Sequence, residues 1–399
     1  MKKIILGSIL SLTITGNVFS ATAEDSKIFT PYFDMSLTES GYIPSNGNIF
    51  TGANINTQVG LLSKIAEKHS IFSLYNFDYS GPGFHPQDTK QFTERTMSHA
   101  FSFEYRYNIS ERFRIRPGFS FSKEYRRLGS NESWKNGLYN ANSKGPQMAL
   151  DWTFDFEKNG YVTFNFLNRS IKFPNYTDLL AEFSKGSASG ELSGGLQDQN
   201  FIQYSIRPGW NNFFGGIAFT TQKYKNQKVV EMSGVYGDTK QKDTDSTMDF
   251  GFHHSLWIFE LYPVVSYTIH KSNQNFMRYK SPMDTPYPVK DAYSYKEFSF
   301  SIPLDLNITS KWAIGGAIST TRRTYDNRPP RDENNDYKSG KQYNTMSTLT
   351  GSIKKKINEL ASVRLFYSLV VASSNNKFES YMPYNYTGNS FGLTYTISY

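Results

Sequence analysis

Gly388-Asn389-Ser390-Phe391-Gly392-Leu393-Thr394-Tyr395-Thr396-Ile397-Ser398-Tyr399 closes the chain. From Phe391 onward it alternates without a fault: Phe391, Leu393, Tyr395, Ile397 and Tyr399 share one face, Gly392, Thr394, Thr396 and Ser398 the other. A period of two over that length is a strand with one apolar and one polar face. Such a strand needs partners, and the preceding sequence offers them.

Working backward and outward, the same rhythm recurs along the whole chain. Ala361–Ala372 and Tyr343–Lys355 form one pair, Trp312–Tyr325 and Tyr293–Ile308 another. Tyr262–His270, Thr247–Ile258, Phe213–Tyr224 and Asn200–Pro208 continue it. Further strands fall at Ile28–Leu37, Gly52–Leu62, Ser70–Ser80 and Gln147–Phe156, with another opening at Tyr161. In the clearest hairpin, Met97, Phe101, Phe103, Tyr105 and Tyr107 precede Asn108–Arg112, after which Phe113, Ile115, Phe119 and Phe121 resume the pattern. Tight connections at Gly209–Asn212, Phe259–Leu261, Thr309–Lys311 and Lys356–Leu360 alternate with polar ones of about a dozen residues or more. The expected fold is all-β: a transmembrane antiparallel up-and-down β-barrel of about 16 strands, with 14 or 18 also compatible with the boundaries. Pro117, Pro208, Pro263 and Pro303 lie inside strand patterns, where proline removes a ladder donor. All four are expected near the short-turn ends of their strands, with local irregularity there.

Composition bounds the class. The chain has 399 residues, no cysteine, 28 Tyr and 32 Phe, and a net charge of +8. Many aromatics without long apolar runs suit membrane strands better than a soluble core. Without cysteine there is no disulfide framework, lipoprotein anchor, Cys-ligated zinc or thiol chemistry. The Lys and Arg are dispersed, which argues against nucleic acid as a partner. Met1-Lys2-Lys3, the apolar run Ile4–Thr15 and Ala21-Thr22-Ala23 read as a secretory signal over 1–23, leaving 24–399 as a single barrel domain. Loss of Lys2 and Lys3 leaves a net charge of +6.

A closing strand that ends on an aromatic, with apolar residues at every second place before it, resembles the last strand of bacterial outer-membrane β-barrels, porin-like in form. The resemblance implies that Phe391, Leu393, Tyr395, Ile397 and Tyr399 act as an assembly signal read by the barrel assembly machinery. Family members usually end on Phe, and Tyr399 departs from that. The resemblance also implies the outer membrane of a Gram-negative bacterium, surrounded by lipid and lipopolysaccharide. Short turns are then periplasmic, long loops external.

The alternation also assigns a lumen. Expected pore-lining residues are Glu104, Arg106, Arg114, Arg116, Glu124, Arg126, Asp151, Asp155, Arg169, Arg207, Asp249, Glu297, Asp305, Arg323, Lys354 and Arg364, because charge on the lipid face costs roughly 2–4 kcal/mol near the midplane. Pairing Tyr107 with Phe113 would set Glu104 opposite Arg116 and Arg106 opposite Arg114. Two readings stand beside each other: a basic wall that steers anions, or internal ion pairs that stabilise a polar lumen. The slight excess of cations in this set gives a weak anion preference.

Phe173–Gln197 contains Tyr176, Leu179, Leu180 and Phe183 at helical spacing, a short helix expected in a surface loop. Asp326–Asp336, mixed in charge and holding two prolines, reads as a solvated loop. His253-His254-Ser255 superficially matches the His-x-Ser pair of outer-membrane phospholipases. Here, however, His253 and Ser255 share a face with Asp249 and Gly251, away from lipid. No metal-ligand spacing, phosphate-binding loop or plug domain is present, so no cofactor or catalytic residue is expected. The sequence reads as a non-enzymatic channel for passive diffusion of ions and small hydrophilic solutes. A structural or adhesive barrel with an obstructed lumen is the alternative, a lipid-modifying enzyme a weaker one.

Overall fold

The computed structural model describes residues 28–44, 50–82, 94–127, 133–177, 194–278, 287–379 and 384–399. The signal-peptide reading, and the helix expected beyond Thr177, lie outside the described residues. Within them the chain is almost entirely strand. In order these are β1 (Phe29–Pro44), β2 (Phe50–Ala66), β3 (His69–Pro82), β4 (Arg95–Asn108), β5 (Phe113–Arg127), β6 (Ala141–Asp155), β7 (Gly160–Lys172), β8 (Gln199–Trp210), β9 (Phe213–Val230) and β10 (Tyr236–Phe252). There follow β11 (His254–Leu256), β12 (Phe259–Leu261), β13 (Val264–Ser272), β14 (Phe276–Arg278), β15 (Tyr287–Val289), β16 (Tyr295–Asn307), β17 (Trp312–Tyr325), β18 (Tyr343–Lys356), β19 (Ala361–Ser374) and β20 (Tyr386–Ser398).

Every stave pairs antiparallel with its neighbours in sequence, and β20 pairs with both β19 and β1. The sheet therefore closes. β10 with β11 makes one stave and β12 with β13 another, so the wall has 16 staves; β14 and β15 form a separate hairpin outside it. This is a transmembrane barrel of outer-membrane type, as the alternation implied. Closure joins the two ends of the chain: Leu37 faces Tyr395, Met35 faces Ile397, and Tyr399 N donates to Phe33 O at 2.7 Å. The reason for closure is the solvent. An open edge in hydrocarbon would leave a row of backbone N–H and C=O groups unsatisfied, at several kcal/mol each.

Side chains sort by the pleat. Ile217, Phe219, Phe250, Ile318, Leu349, Leu365 and Leu393 stand exposed on the outward face. Four of the five tryptophans are exposed near short turns: Trp152, Trp210, Trp257 and Trp312. Aromatic residues at that level form the girdle expected at a membrane–water interface.

The prolines sit where expected, and the irregularity takes a particular form. The β4–β5 ladder skips from Glu104↔Gly118 to Tyr107↔Ile115 around Pro117, and β8–β9 skips from Ile206↔Ile217 to Gly209↔Phe214 around Pro208, both without a change of register. Pro263 splits one stave into β12 and β13, again in register: Leu261 faces Leu304 and Val264 faces Ser301. Missing donors thus interrupt the ladder without inserting residues. True register shifts lie elsewhere, at Lys64/Ala66, Thr153/Asp155 and in β10 near Lys240.

Two sequence expectations need correction. Phe259–Leu261, read as a turn, is β12; the turn is Trp257–Ile258, with Trp257 in the left-handed region at φ 56°. The β4–β5 register is displaced by two residues from the expected one. Asn108 faces Arg114, and Ser110 Oγ accepts from Arg112 N and Phe113 N, so the loop keeps five residues out of the ladder.

The long connections on one side interlock into a cap. Asp326 N donates to Ser294 O, Gln342 N to Arg328 O, and Lys377 N to Arg331 O, at 2.9, 2.7 and 2.7 Å. Asp326–Asp336, expected as a solvated loop, is in part a member of this cap: Arg331 N donates to Asn376 Oδ1 at 2.9 Å, and Asn376 is fully buried. Glu379 pins the last connection through Tyr384 N, Asn385 N and Asn385 Nδ2 at 3.1, 2.8 and 2.7 Å. Those donors, Asn385's side chain first, hold the carboxyl below its ordinary range. A depressed folded pKa gives stability that is present above the unfolded value and lost as pH falls through the folded one. Amide exchange at Asn385, corrected for intrinsic rates, should therefore accelerate below about pH 4. Glu379→Ala should remove that pH dependence.

Candidate functional site: the charged lumen wall

The inward face carries the charges, and cross-strand neighbours organise them into two groups. The first lies toward the short-turn end of β4 to β7. Arg116 on β5 is its centre: Nη1 donates to Glu104 Oε2 at 2.9 Å, while Nε and Nη2 grip Asp151 Oδ2 and Oδ1 at 2.7 and 2.9 Å. Arg106 Nε donates to Glu104 Oε1 at 2.7 Å and its guanidinium lies 4.5 Å above the Phe72 ring. Thr163 Oγ1 donates to Asp151 Oδ1 at 2.9 Å. Arg114 faces Asp151 across the ladder and donates to Asn108 Oδ1 at 2.7 Å. Glu104 is only 6% exposed, so its charge depends on those two guanidinium partners. The corrected register explains the contact: Arg116 reaches Glu104 diagonally, not from the opposite position.

The second group lies toward the long-loop end of β10 to β17. Arg323 Nε donates to Glu297 Oε2 at 2.8 Å, and its guanidinium stands 4.1 Å from the Tyr295 ring centre. Tyr295 stacks on His270 at 4.7 Å, and His270 Nδ1 meets Asp245 Oδ1 at 2.7 Å. The chain of rings continues upward through buried Tyr325 to Arg328, 4.0 Å above it, in the cap.

Between these groups the wall holds charges with no hydrogen-bond or ion-pair partner among the described residues. Arg207 faces Thr163 on β7, and Asp249 faces Gly216 on β9. A Cβ at Gly216 would lie 2.9 Å from Asp249 Oδ1, so the glycine makes room for that carboxylate. On the opposite wall Asp305, Ser352 and Arg364 crowd over Gly315, where a Cβ would lie 2.7 Å from Asp305 Oδ1 and 3.5 Å from Arg364 Nη2. Lys354 faces Arg364 across the ladder. Arg169 lies inward on β7 opposite Phe201, its Nε buried without a hydrogen-bond partner among the described residues.

Three expected lining residues stand nearer the rims. Asp155 closes the β6–β7 turn: Oδ1 accepts from Glu157 N and Lys158 N at 3.1 Å, and Oδ2 from Trp210 Nε1 at 3.2 Å. It is a turn cap, because the shift at Thr153/Asp155 takes it out of the alternation. Arg126 lies at the outer mouth, paired with Glu94 and 5.9 Å from the Tyr139 ring, and Glu124 is beside it. Alternation also missed residues. Asp243 and Asp245 extend the inward face of β10 two and one steps beyond Thr247, where the sequence reading began the strand. Asp34 and Asp78 lie inward on β1 and β3, bonded to Ser398 Oγ and Asn56 Nδ2. These acids offset the cation excess of the sequence-derived set.

Ser255 Oγ lies 3.0 Å from His253 Nε2, and the His253 ring stacks on Tyr262 at 4.4 Å. Tyr262 in turn donates to Glu260 Oε2 at 2.8 Å. The pair lies on the lumen side at the short-turn rim, as the alternation placed it. Among the described residues no carboxylate bonds the other imidazole nitrogen, and no group of acids and histidines has metal-ligand geometry.

No protein-family model matches the chain, and no curated protein matches it. Among solved structures it is similar to OmpT, an outer membrane protein of Vibrio cholerae, with a TM-score of 0.47 and 10% identity over 95% of this chain and 100% of that one. It is also similar to OmpF of Salmonella typhi in complex with daunomycin, at a TM-score of 0.45 and 9% identity, covering 92% and 97% of the two chains. A monoaromatic hydrocarbon channel, CymD, aligns at 0.39 and 8% identity over 92% and 88%.

Proposed function

We propose that the protein is an outer-membrane, porin-like channel for passive diffusion of ions and small hydrophilic solutes. One observation supports this above others: Arg207, Asp249, Asp305, Arg364 and Lys354 line the inward face without partners among the described residues. A wall meant only to be stable would pair its charges, since unpaired ones gain nothing from a dry interior. Charges left free suit a water-filled lumen, and sixteen strands enclose enough width for an aqueous channel. The paired group around Arg116 gives the other reading its share: that part of the wall is structural.

Selectivity in this proposal is a weak anion preference, carried by Arg207, Arg364 and Lys354 and opposed by Asp249 and Asp305, with Asp34, Asp78 and Asp243, held by neutral side chains, limiting it further. The test is single-channel recording in planar bilayers. Steady conductance with a reversal potential slightly toward anions is expected, and Arg207→Glu should move that potential toward cations. A silent barrel would end the channel proposal; clear cation selectivity of the unaltered protein would end the anion preference alone.

A further inference from the structure

The outward face holds a feature that a lipid-facing surface does not need. Near the long-loop end of six of seven consecutive staves, β8 being the exception, exposed lysines interrupt the apolar band: Lys144 on β6, Lys172 on β7, Lys223 on β9, Lys242 on β10, Lys271 on β13 and Lys296 on β16. The register makes Lys144 and Lys172 neighbours on β6 and β7, and Lys223, Lys242, Lys271 and Lys296 neighbours from β9 to β16. Lys223 and Lys242 face each other directly. Lys271 faces Thr244, and Lys296 faces Ile269, so each next lysine is displaced by two residues along its strand. From β10 to β16 that displacement is the one tilted strands require to keep side chains at one depth; on β7 it runs the other way, Lys172 standing two residues nearer the loops than Ser170, which faces Lys144.

Depth can be read from the opposite edge of the band. Phe154 precedes the turn end of β6, Phe213 opens β9 and Leu306 lies near the end of β16, each about ten residues from its lysine. At ~3.3 Å per residue and a tilt near 45°, ten residues climb about 23 Å, close to the ~25 Å height of the apolar band. The lysines thus lie at the headgroup level. Between them and the aromatic edge, the outward positions of these strands carry no Asp or Glu among the described residues. Like charges directly opposite one another on a sheet destabilise it. Lys223 and Lys242 have no acidic partner among the described residues to offset that.

We infer that this row is a docking belt for phosphorylated glycolipid headgroups of the outer leaflet, whose phosphates lie between adjacent lysines. The belt rests on the outer-membrane reading, which puts the long-loop end outside. Charge complementarity chooses the occupant. Multiple phosphates on one headgroup match cations that recur on adjacent strands from β9 to β16, and the acyl chains match the apolar band below.

The probe is bisphosphorylated lipid A, titrated onto the full chain folded in zwitterionic detergent. Each cation near an anionic lipid surface contributes roughly fivefold to binding. The double variant Lys223→Gln/Lys242→Gln should therefore bind roughly thirtyfold more weakly, and dephosphorylated lipid A should bind the unaltered protein equally weakly. Lys355→Gln, on the same face but at the opposite edge beside Trp312, should leave binding unchanged. Equal affinity in the double variant, equal binding of the dephosphorylated lipid, or equally strong lysine-dependent binding of phosphatidylglycerol would each overturn the belt. Failure of the unaltered chain to form a heat-modifiable barrel in vesicles would instead overturn the membrane reading beneath it.

Discussion

Deletion of Phe391–Tyr399 abolishes barrel assembly: no heat-modifiable band and no protease-resistant membrane fraction are expected from that truncation. The cause is geometric. Those residues hold most of β20's ladders to β1 and to β19, from Gly41↔Phe391 to Asp34↔Ser398 on one side and from Tyr367↔Phe391 to Ala361↔Ile397 on the other. Without them, β1 and β19 each present a free edge at membrane depth, and no water is there to bond it. The outward side chains lost, Phe391, Leu393, Tyr395 and Ile397, also remove apolar cover from the seam. Gly392 shows how closely the seam is packed: a Cβ there would lie 2.6 Å from Glu39 O and 2.7 Å from the Phe366 ring. A truncated chain that still shifts on heating would overturn both the closure and the role of the strand as an assembly signal. Tyr399→Phe should assemble normally, because only the aromatic ring is required at that place.

The wall was legible because a barrel in lipid obeys a strict period, one that side chains cannot violate cheaply. Trp312–Tyr325 matched to the residue, and the lumen side of Glu104, Arg116, Asp151 and Arg323 followed from parity alone. Errors came where parity does not decide. A shift of two residues preserves faces, so alternation could not tell Arg116 opposite Glu104 from Arg116 diagonal to it. A register shift reverses the rule, which is how Asp155 was misplaced. Strand ends above the membrane carry polar residues on both faces, so β9 and β10 looked shorter and Asp243 and Asp245 went unread. The lysine belt was present in the sequence too. It stayed hidden because dispersed cations become a row only when sixteen strands are laid side by side.

Among lumen residues, Arg116 should give the largest loss of stability. Arg116→Met leaves Glu104, 6% exposed, with Arg106 alone and strips Asp151 of its two guanidinium bonds. Breaking a buried pair from one side costs roughly 3–5 kcal/mol, because the remaining carboxylate stays desolvated. Asp151 keeps Thr163 and the nearby Arg114, which places the expected loss at about 3 kcal/mol. Arg116→Lys should recover only part of it: an ammonium cannot bond both Asp151 oxygens in parallel while reaching Glu104. The measurement is the denaturant midpoint of unfolding in vesicles for the single variants and for Glu104→Gln. Combining Arg116→Met with Glu104→Gln should cost less than the sum of the two, since the glutamine no longer leaves an unpaired charge. Additive losses would mean that the wall is wet at Arg116 and its ion pairs are exchangeable, so that this group too belongs to the conducting surface rather than to the scaffold.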